Sequence, residues 1–325
     1  MHCFREVIWM QTREEKIFQR IGHCVMIVLS ACAIIPMILL VMSSVTDNNT
    51  LISNGYSFFP EKFSLYAYQY IFKTGNAVLQ AYGISVILTV IGTVLSLTIT
   101  TLLAYALSRP GLPGRQFLSF YVFFTMLFNG GLVPTYMNYT NVFGLKNTFW
   151  ALVIPGLVTN GFYILLMKSY FVSSIPGEIT EAAVIDGASE FQTFYRVALP
   201  LAKPIVATIG LFSGIGYWND WQNGYIYLTK RTDLYSIQNL LNRMIQNIQY
   251  LSQNSGNVRN ADVGLAAIPS VSIRMAMAVV GILPIIIIYP FIQSNFVKGI
   301  TLDRKSGRVG KECVSTCRSR WSPYH

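Results

Sequence analysis

The chain has 325 residues, of which 53% are hydrophobic and only 12% are charged. This composition excludes a soluble domain of this size, because such domains carry about 25% charged residues. Most of the net charge of +10 lies in residues 303–325 or beside expected membrane spans, so we do not expect nucleic acid as a partner.

Six apolar stretches are long enough to cross a membrane as helices. Crossing about 30 Å of hydrocarbon requires roughly 20 helical residues. The stretches are continuous apolar runs, whereas a membrane β-barrel strand would alternate apolar and polar residues. The sequence therefore predicts an all-α integral membrane protein with six transmembrane helices. We expect the spans at residues 22–43, 82–107, 117–137, 148–170, 204–228 and 273–291.

The amino end, residues 1–21, is polar and predicted to stay in the cytoplasm. Arg13, Lys16 and Arg20 precede the first span, and cationic residues favour the cytoplasmic side of a membrane. The segment has no short apolar core followed by a small-residue cleavage site, so we do not expect a cleaved signal peptide.

Two long polar loops, residues 44–81 and 229–272, are predicted on the outer side. The aromatic residues of the first loop fit either membrane-interface anchors or rings that stack on a passing sugar. The second loop is large enough to meet an external partner. This loop and the start of the last span carry cations that could attract an acidic oligosaccharide, namely Arg243, Arg259 and Arg274.

The third span is interrupted by Asn129-Gly130-Gly131, and Pro134 follows closely. Within lipid, irregular backbone survives only where protein or a watery cavity covers it. Asn129 and Tyr136 are therefore candidates to line a translocation path. A kink that serves only packing explains the same pattern equally well.

The fifth span ends in a polar and aromatic cluster. An Asp and an Asn within a span are costly unless they face a cavity or a polar partner. Aromatic rings beside hydrogen-bonding side chains suit a carbohydrate, but they also suit an aromatic belt at the membrane boundary. Both interpretations stay open. The candidate substrate-path residues are Tyr217, Trp218, Asn219, Asp220 and Trp221.

Residues 174–204, which we call the knob, form a polar interlude between the fourth and fifth spans. Pro176 suits the first turn of a helix, where Glu178 and Glu181 lie at the positive end of the helix dipole. Gly187 is predicted to stop this helix. Ala182 and Ala183 leave a face with little bulk, which allows another protein to approach closely.

A second knob helix is predicted directly after the first. Ser189 followed by Gln192 has the spacing of a capping box, so this helix begins at once and runs to about Leu199. Pro200 is predicted to end it, and Pro204 can begin the fifth span.

The spacing of the knob resembles a known family motif. Glu181-Ala182-Ala183, Gly187 and Val197-x-Leu199-Pro200 resemble the EAA loop of permease subunits of bacterial ABC importers, with Val where that motif has Ile. The resemblance implies that the first knob helix is a coupling helix that docks in a groove of a cytoplasmic ATPase. An ordinary amphipathic connector is the alternative. The implied coupling residues are Glu178, Glu181, Ala182, Ala183, Asp186, Gly187, Leu199 and Pro200.

Other segments extend the resemblance over residues 22–302. The turn Arg109-Pro-Gly-Leu-Pro-Gly-Arg115, Trp218-Asn219 and the ending Gln293-x-x-Phe-Val-Lys-Gly resemble those of MalG-like carbohydrate permeases with the MetI-like fold. The resemblance is greatest to the second permease subunit of alginate importers. It implies three kinds of protein partner: a second permease in a heterodimer, two ATPase subunits that bind ATP and Mg, and an external solute-binding protein. It also implies an oligosaccharide substrate and a place in the bacterial inner membrane, in contact with lipid.

The sequence contains no G-x-x-x-x-G-K-[ST] phosphate loop, so ATP is expected to bind to separate subunits. It shows no convergent acid, base or metal ligands, and we expect neither catalysis nor a bound metal or cofactor. A secondary transporter or channel for a small polar solute is the alternative function. Residues 303–325 carry six Lys or Arg against two acids and are interpreted as a foreign or read-through extension; Cys313, Cys317 and His325 are a weak zinc signal.

Overall fold

The fold comes from a computed structural model that describes residues 13–73, 76–253 and 271–287. Its regular elements in these ranges are helical, with one isolated bridge between Thr46 and Phe63. The described residues form two compact units. One contains residues 13–73 with the described part of 248–280, and the other contains residues 76–247 with 281–287.

The first unit begins with a long apolar helix, α1 (Arg13–Ser44), which contains Pro36. Two short helices follow, α2 (Asn48–Asn54) and α3 (Tyr66–Lys73). Asp47 caps α2 by accepting a hydrogen bond from the Asn49 backbone N–H at 3.1 Å, and Ser44 and Tyr68 share a hydrogen bond of 2.7 Å. Residues 44–73 of the predicted outer loop 44–81 are therefore a folded segment.

The second unit is built on α4 (Asn76–Ser108), which packs against α8 and α11. Its serines and threonines include Ser85, Ser96 and Thr100, all buried, as expected for a helix inside a bundle. The other helices of this unit are α5 (Arg115–Leu127), α6 (Leu132–Val142), α7 (Trp150–Val153), α8 (Gly161–Ser174), α9 (Gly177–Ile185), α10 (Glu190–Leu201), α11 (Lys203–Asn219) and α12 (Gln222–Tyr227). Two more helices belong to it in part, α13 (Ile237–Gln253) with residues 237–247 and α14 (Val271–Ile287) with residues 281–287.

Among the described residues, two single helical stretches are long and apolar enough to cross a membrane, Ile17–Ser44 and Ala77–Ser108. Two bent pairs raise this to four if each pair forms one span: α5 with α6, bent by 116°, and α10 with α11, bent by 81°. Helix α14 is apolar but shorter. The described residues therefore contain two to four candidate spans by length and composition, and the number of six stays a prediction.

Two predicted spans were wrong as single helices. Residues 148–170 contain α7 and α8, separated because Pro155 cannot donate a backbone hydrogen bond and Gly156 has a φ of +73°. Asn160 then caps α8. The predicted span 204–228 is a helix only to Asn219, and a new helix starts at Gln222.

The predicted outer loop 229–272 contains helix α13. Ile237 and Leu241, one helical turn apart, are buried, and the Ile237 backbone N–H donates to Ser85 Oγ of α4 at 2.8 Å. The start of α13 is therefore part of the packed second unit.

Candidate functional site

The first knob helix, α9, has well-defined ends. Pro176 precedes its first residue with an extended ψ of 132°, and Glu178 lies in its first turn. At the other end Gly187 has a φ of +81°. The Gly187 N–H donates to Val184 O and the Ala188 N–H donates to Ala183 O, each at 3.0 Å. This pair of bonds is a Schellman motif, and it confirms the predicted stop at Gly187.

The second knob helix, α10, starts with the predicted capping box. Ser189 Oγ accepts from the Gln192 N–H at 3.3 Å, and Gln192 Oε1 accepts from the Ser189 N–H at 3.0 Å. The helix passes through a π-helical turn, Phe194–Ala198, and ends at Leu201. The prediction that Pro200 ends it was therefore one residue early, because the wider turn lets the backbone continue past the proline.

The knob exposes large apolar side chains beside its acids. Ile185 is 85% exposed and Phe191 is 68% exposed. Clustered exposed apolar side chains rimmed by polar ones mark interaction surfaces. Glu178, Glu181, Ala182 and Asp186 are also exposed, Ala183 and Leu199 are half-buried, and Pro200 is exposed. Gly187 is exposed as well, so six of the eight predicted coupling residues are available to a partner at the protein surface.

The knob is tied to the end of α4 by residues that sequence reasoning did not assign to the site. Arg109 Nη2 donates to Glu190 Oε1 at 3.2 Å, and Tyr105 OH donates to Glu190 Oε2 at 3.3 Å. The two partners are more than 80 residues from Glu190. No local pattern signals a pair at that separation, so only the fold reveals it.

A cavity of about 560 Å³ lies between the knob and the turn that follows α4. Its charged lining comes from Arg109, Glu181 and Glu190. The predicted coupling residue Glu181 therefore faces the same space as the ion pair that anchors the knob. The apolar lining residues include Leu102, Tyr105, Leu112, Phe191 and Phe194.

The break in the third span is a tight polar turn. Asn129 Oδ1 accepts from the Gly131 N–H at 2.9 Å, and Asn129 is exposed. Tyr136 stacks on Tyr227 with ring centroids 5.7 Å apart. The Lys146 ammonium lies 5.8 Å from the centre of the Tyr136 ring. Tyr136 is half-buried in this aromatic group, and Asn129 is open to the surroundings.

Tyr217 and Trp218 are packed inside the second unit. Tyr217 is 1% exposed, and its OH donates to Val153 O at 3.0 Å. Trp218 is 6% exposed, and its Nε1–H donates to Gly281 O at 3.1 Å. In this conformation neither ring is accessible to a sugar, whereas Asn219 and Trp221 are exposed.

Asp220 organises the chain where α11 ends. Its Oδ1 accepts from the backbone N–H groups of Gln222 and Asn223 at 3.1 and 3.3 Å and thereby caps α12. Asn223 Nδ2 donates to Pro155 O at 2.9 Å. The polar residues at this end of the span therefore join it to the irregular segment between α7 and α8.

The three predicted outer cations have different surroundings. Arg243 is held in place: its Nε donates to Asn239 Oδ1 at 2.7 Å, and its guanidinium lies 4.5 Å from the centre of the Tyr235 ring. Arg274 is half-buried on α14. Arg259 lies outside the described residues.

An exposed ion pair lies at a turn before α13. Arg231 Nη2 donates to Asp233 Oδ2 at 2.6 Å, and these hydrogen bonds hold the pKa of the Asp233 carboxyl below its ordinary value. A lowered carboxyl pKa means that the pair persists at neutral pH and is lost as the pH falls through that pKa.

Residues 13–73, 76–253 and 271–287 contain no group of three or more His, Cys, Asp or Glu side chains that could hold a metal ion. The weak zinc candidates Cys313, Cys317 and His325 lie outside these ranges, as does the whole predicted tail 303–325.

Comparison with protein families gives a match over much of the chain. Residues 109–302 match the family described as "Binding-protein-dependent transport system inner membrane component". The matched region contains the knob, both predicted path segments and the outer cations.

Two curated relatives come from Bacillus subtilis (strain 168). Protein LplC is 35% identical over 277 residues, which cover 85% of this chain and 90% of LplC. The polygalacturonan/rhamnogalacturonan transport system permease protein YtcP is 34% identical over 294 residues, which cover 90% of this chain and all of YtcP.

A solved structure has a similar fold. One chain in the crystal structure of a bacterial ABC transporter involved in the import of the acidic polysaccharide alginate matches with a TM-score of 0.72 and 29% sequence identity. The match covers 88% of this chain and 98% of that chain.

Proposed function

Because the chain belongs to the family of binding-protein-dependent transport system inner membrane components, we propose that it is the permease subunit through which an acidic oligosaccharide enters the bacterial cytoplasm. As a permease of an ABC sugar importer it is a transport subunit of the inner membrane and not an enzyme. Family membership implies an ATPase and a solute-binding protein as partners.

The observation that carries the proposal is the folded, exposed knob. A helix with Ile185 85% exposed beside Glu181 and Asp186 offers an apolar contact surrounded by charge, which is the composition of a protein interface. Two ATPase subunits would bind ATP and Mg, and each would dock on one knob. One knob belongs to this chain and the other to a second permease, with which this chain forms a heterodimer.

Closure of the ATPases on ATP would then displace the knob and move the helices attached to it. Rigid-body movement of packed helices around a central path is an established form of switching between two states. Alternating access of this kind would carry the sugar from the solute-binding protein to the cytoplasm without a covalent step.

The proposed substrate path uses the accessible members of the predicted set. Asn129 and Asn219 supply hydrogen-bonding amides, and Trp221 supplies an aromatic face for the apolar side of a sugar ring. Tyr136, Tyr217, Trp218 and Asp220 would shape the path by packing and capping, as their contacts in this conformation support.

The acidic character of the substrate is supported by two relatives and by the outer cations. The name of YtcP gives polygalacturonan and rhamnogalacturonan as transported, and the solved structure is of a transporter involved in the import of the acidic polysaccharide alginate. On this chain Arg243 and Arg274 would attract carboxylates, although Arg243 also holds the fold through Asn239. Arg243→Lys therefore keeps the charge while changing the bonds, and Arg243→Gln removes both.

The test is uptake by the complete complex in proteoliposomes. We expect ATP-dependent uptake of a uronic oligosaccharide, reduced more by Arg274→Gln and Arg243→Gln than uptake of a neutral oligosaccharide of equal length. Arg243→Lys separates charge from structure. Equal losses for both sugars would contradict the acidic substrate. Uptake that continues without ATP, with the proton gradient collapsed as a control, would instead support a channel.

A further inference from the structure

Glu190 links the knob to the end of α4 with both oxygens of its carboxylate. One oxygen accepts from Arg109 at 3.2 Å, and the other accepts from Tyr105 at 3.3 Å. Tyr105 lies in the last turn of α4, and Arg109 follows the final residue of that helix. A single side chain of the knob is therefore bound at two points to one end of one helix.

The Arg109 and Tyr105 side of this link is held in place by packing, whereas the Glu190 side chain is 65% exposed. An ordinary exposed ion pair contributes little, because it must order two flexible side chains. Here the Arg109 guanidinium lies 5.7 Å over the Tyr105 ring, and its side chain is only 22% exposed. The Tyr105 ring is packed against Phe171 and Phe194 at centroid distances of 5.8 and 5.1 Å. Glu190 lies in the first turn of α10, next to its capping box.

The link spans a place where packing is incomplete. The 560 Å³ cavity is lined by Arg109 and Glu190 themselves and by residues of the turn after α4, including Pro110 and Leu112. Ala104 and Tyr105 of α4 also belong to one buried core cluster with Phe194 and Ala198 of α10. The ion pair therefore adds a second, polar link between the knob and α4, on the side where the cavity leaves the packing open.

The far side of the link leads along α4 to the rest of the bundle. Helix α4 packs against α8 and α11. The contact with α11 is close, since a Cβ atom added at Gly210 would lie 3.2 Å from the Leu97 side chain. A movement of the end of α4 would therefore be passed to the helices packed against it.

We propose that Arg109 and Glu190 form a strut that transmits movement of the knob to α4. This inference rests on the proposed function, because only an ATPase acting on the knob supplies the movement. Glu190 and Arg109 are positioning residues: they serve neither as sugar ligands nor as the docking surface, which lies on Ile185 and the exposed face of α9. Loss of the strut would leave ATP hydrolysis in place and lower the amount of sugar moved per ATP.

The experiment compares sugar uptake per ATP hydrolysed for the complete complex in proteoliposomes. Arg109→Gln and Glu190→Gln are each expected to lower this ratio about 3- to 10-fold, while the ATPase subunits still co-purify. The charge-swapped double variant, Arg109→Glu with Glu190→Arg, should recover part of the ratio. Arg231→Gln, which breaks the other exposed ion pair of the described residues, is the matched control and should leave the ratio unchanged.

A wild-type ratio in both single variants would overturn the strut. A swapped variant that assembles but is no better than the single variants would overturn it as well. If the swapped variant does not assemble, Tyr105→Phe removes one of the two bonds to Glu190 and should give an intermediate ratio, and an unchanged ratio would again contradict the proposal. A wild-type complex without ATP-dependent uptake would contradict the proposed function instead.

Discussion

Gly92 of α4 lies directly against the ring of Tyr217 of α11. A Cβ atom added at Gly92 would come within 2.5 Å of Tyr217 Cε1 and Cζ. Both the ring and its hydroxyl are fixed, since Tyr217 is 1% exposed and bonded to Val153 O. The absence of a side chain at Gly92 therefore allows α4 and α11 to approach closely at this point.

We expect Gly92→Ala to destabilise the protein by about 1–3 kcal/mol, the usual cost of overpacking a filled core. Gly83→Ala is the matched control on the same helix, because nothing lies within 4 Å of a Cβ at that position, and it should not be destabilising. Thermal unfolding of the purified complex in detergent measures both. Equal effects at the two positions would show that the ring of Tyr217 does not limit this contact.

Tyr217→Phe separates packing from substrate contact. Removing the hydroxyl leaves Val153 O without its donor and should lower stability by about 1–3 kcal/mol. Because the ring is buried, the concentration of sugar that gives half-maximal uptake should stay at its wild-type value. A marked change in that concentration, with unchanged thermal stability, would place Tyr217 on the path after all.

Gly187 is predicted to resist substitution because of its backbone and not because of crowding. Its φ is +81°, yet nothing lies within 4 Å of an added Cβ. Left-handed backbone costs about 1–2 kcal/mol for an ordinary residue and less for Asn. Gly187→Ala should therefore weaken ATPase binding more than Gly187→Asn, although Asn is larger. Gly177→Ala at the other end of α9 is the control. The reverse order, in a pull-down titration, would indicate a steric cause.

Ile185 is expected to be a main anchor of the ATPase. Its side chain is 85% exposed, and burying an Ile contributes about 1.5–3 kcal/mol. Ile185→Asp should therefore weaken ATPase association about 10- to 100-fold without lowering the thermal stability of the permease. Ile52→Asp, at a 64% exposed position on α2, is the control. Loss of association in both variants, or in neither, would argue against this anchor.

Local features of the knob could be predicted from sequence because their partners are close along the chain. The Ser189–Gln192 capping box and the stop at Gly187 depend on residues within one or two turns. The spacing that carries the family resemblance is local in the same sense. Helix α13 could also have been predicted, since Ile237, Leu241 and Met244 have helical spacing. The many Asn and Gln residues around them concealed it.

Long-range contacts could not be predicted in this way. The bonds from Glu190 to Arg109 and from Trp218 to Gly281 join residues 81 and 63 positions apart. A single sequence shows the charge of Glu190 and Arg109 and the ring of Trp218, but not which residues they contact. For the same reason, the pattern at residues 217–221 left sugar binding and an aromatic belt at the membrane boundary equally open, and it did not indicate that Tyr217 and Trp218 are buried.

The central claim is that ATP acts on this chain through the knob, and cross-linking from position 185 tests it most directly. In the complete complex in proteoliposomes, Ile185→Cys with a short bifunctional reagent should cross-link the permease to the ATPase subunit, in amounts that change when ATP is added. The wild-type chain, with its own cysteines, is the background control. Labelling of position 185 only from the outer side of the membrane, or no cross-link in a complex that transports, would contradict the account.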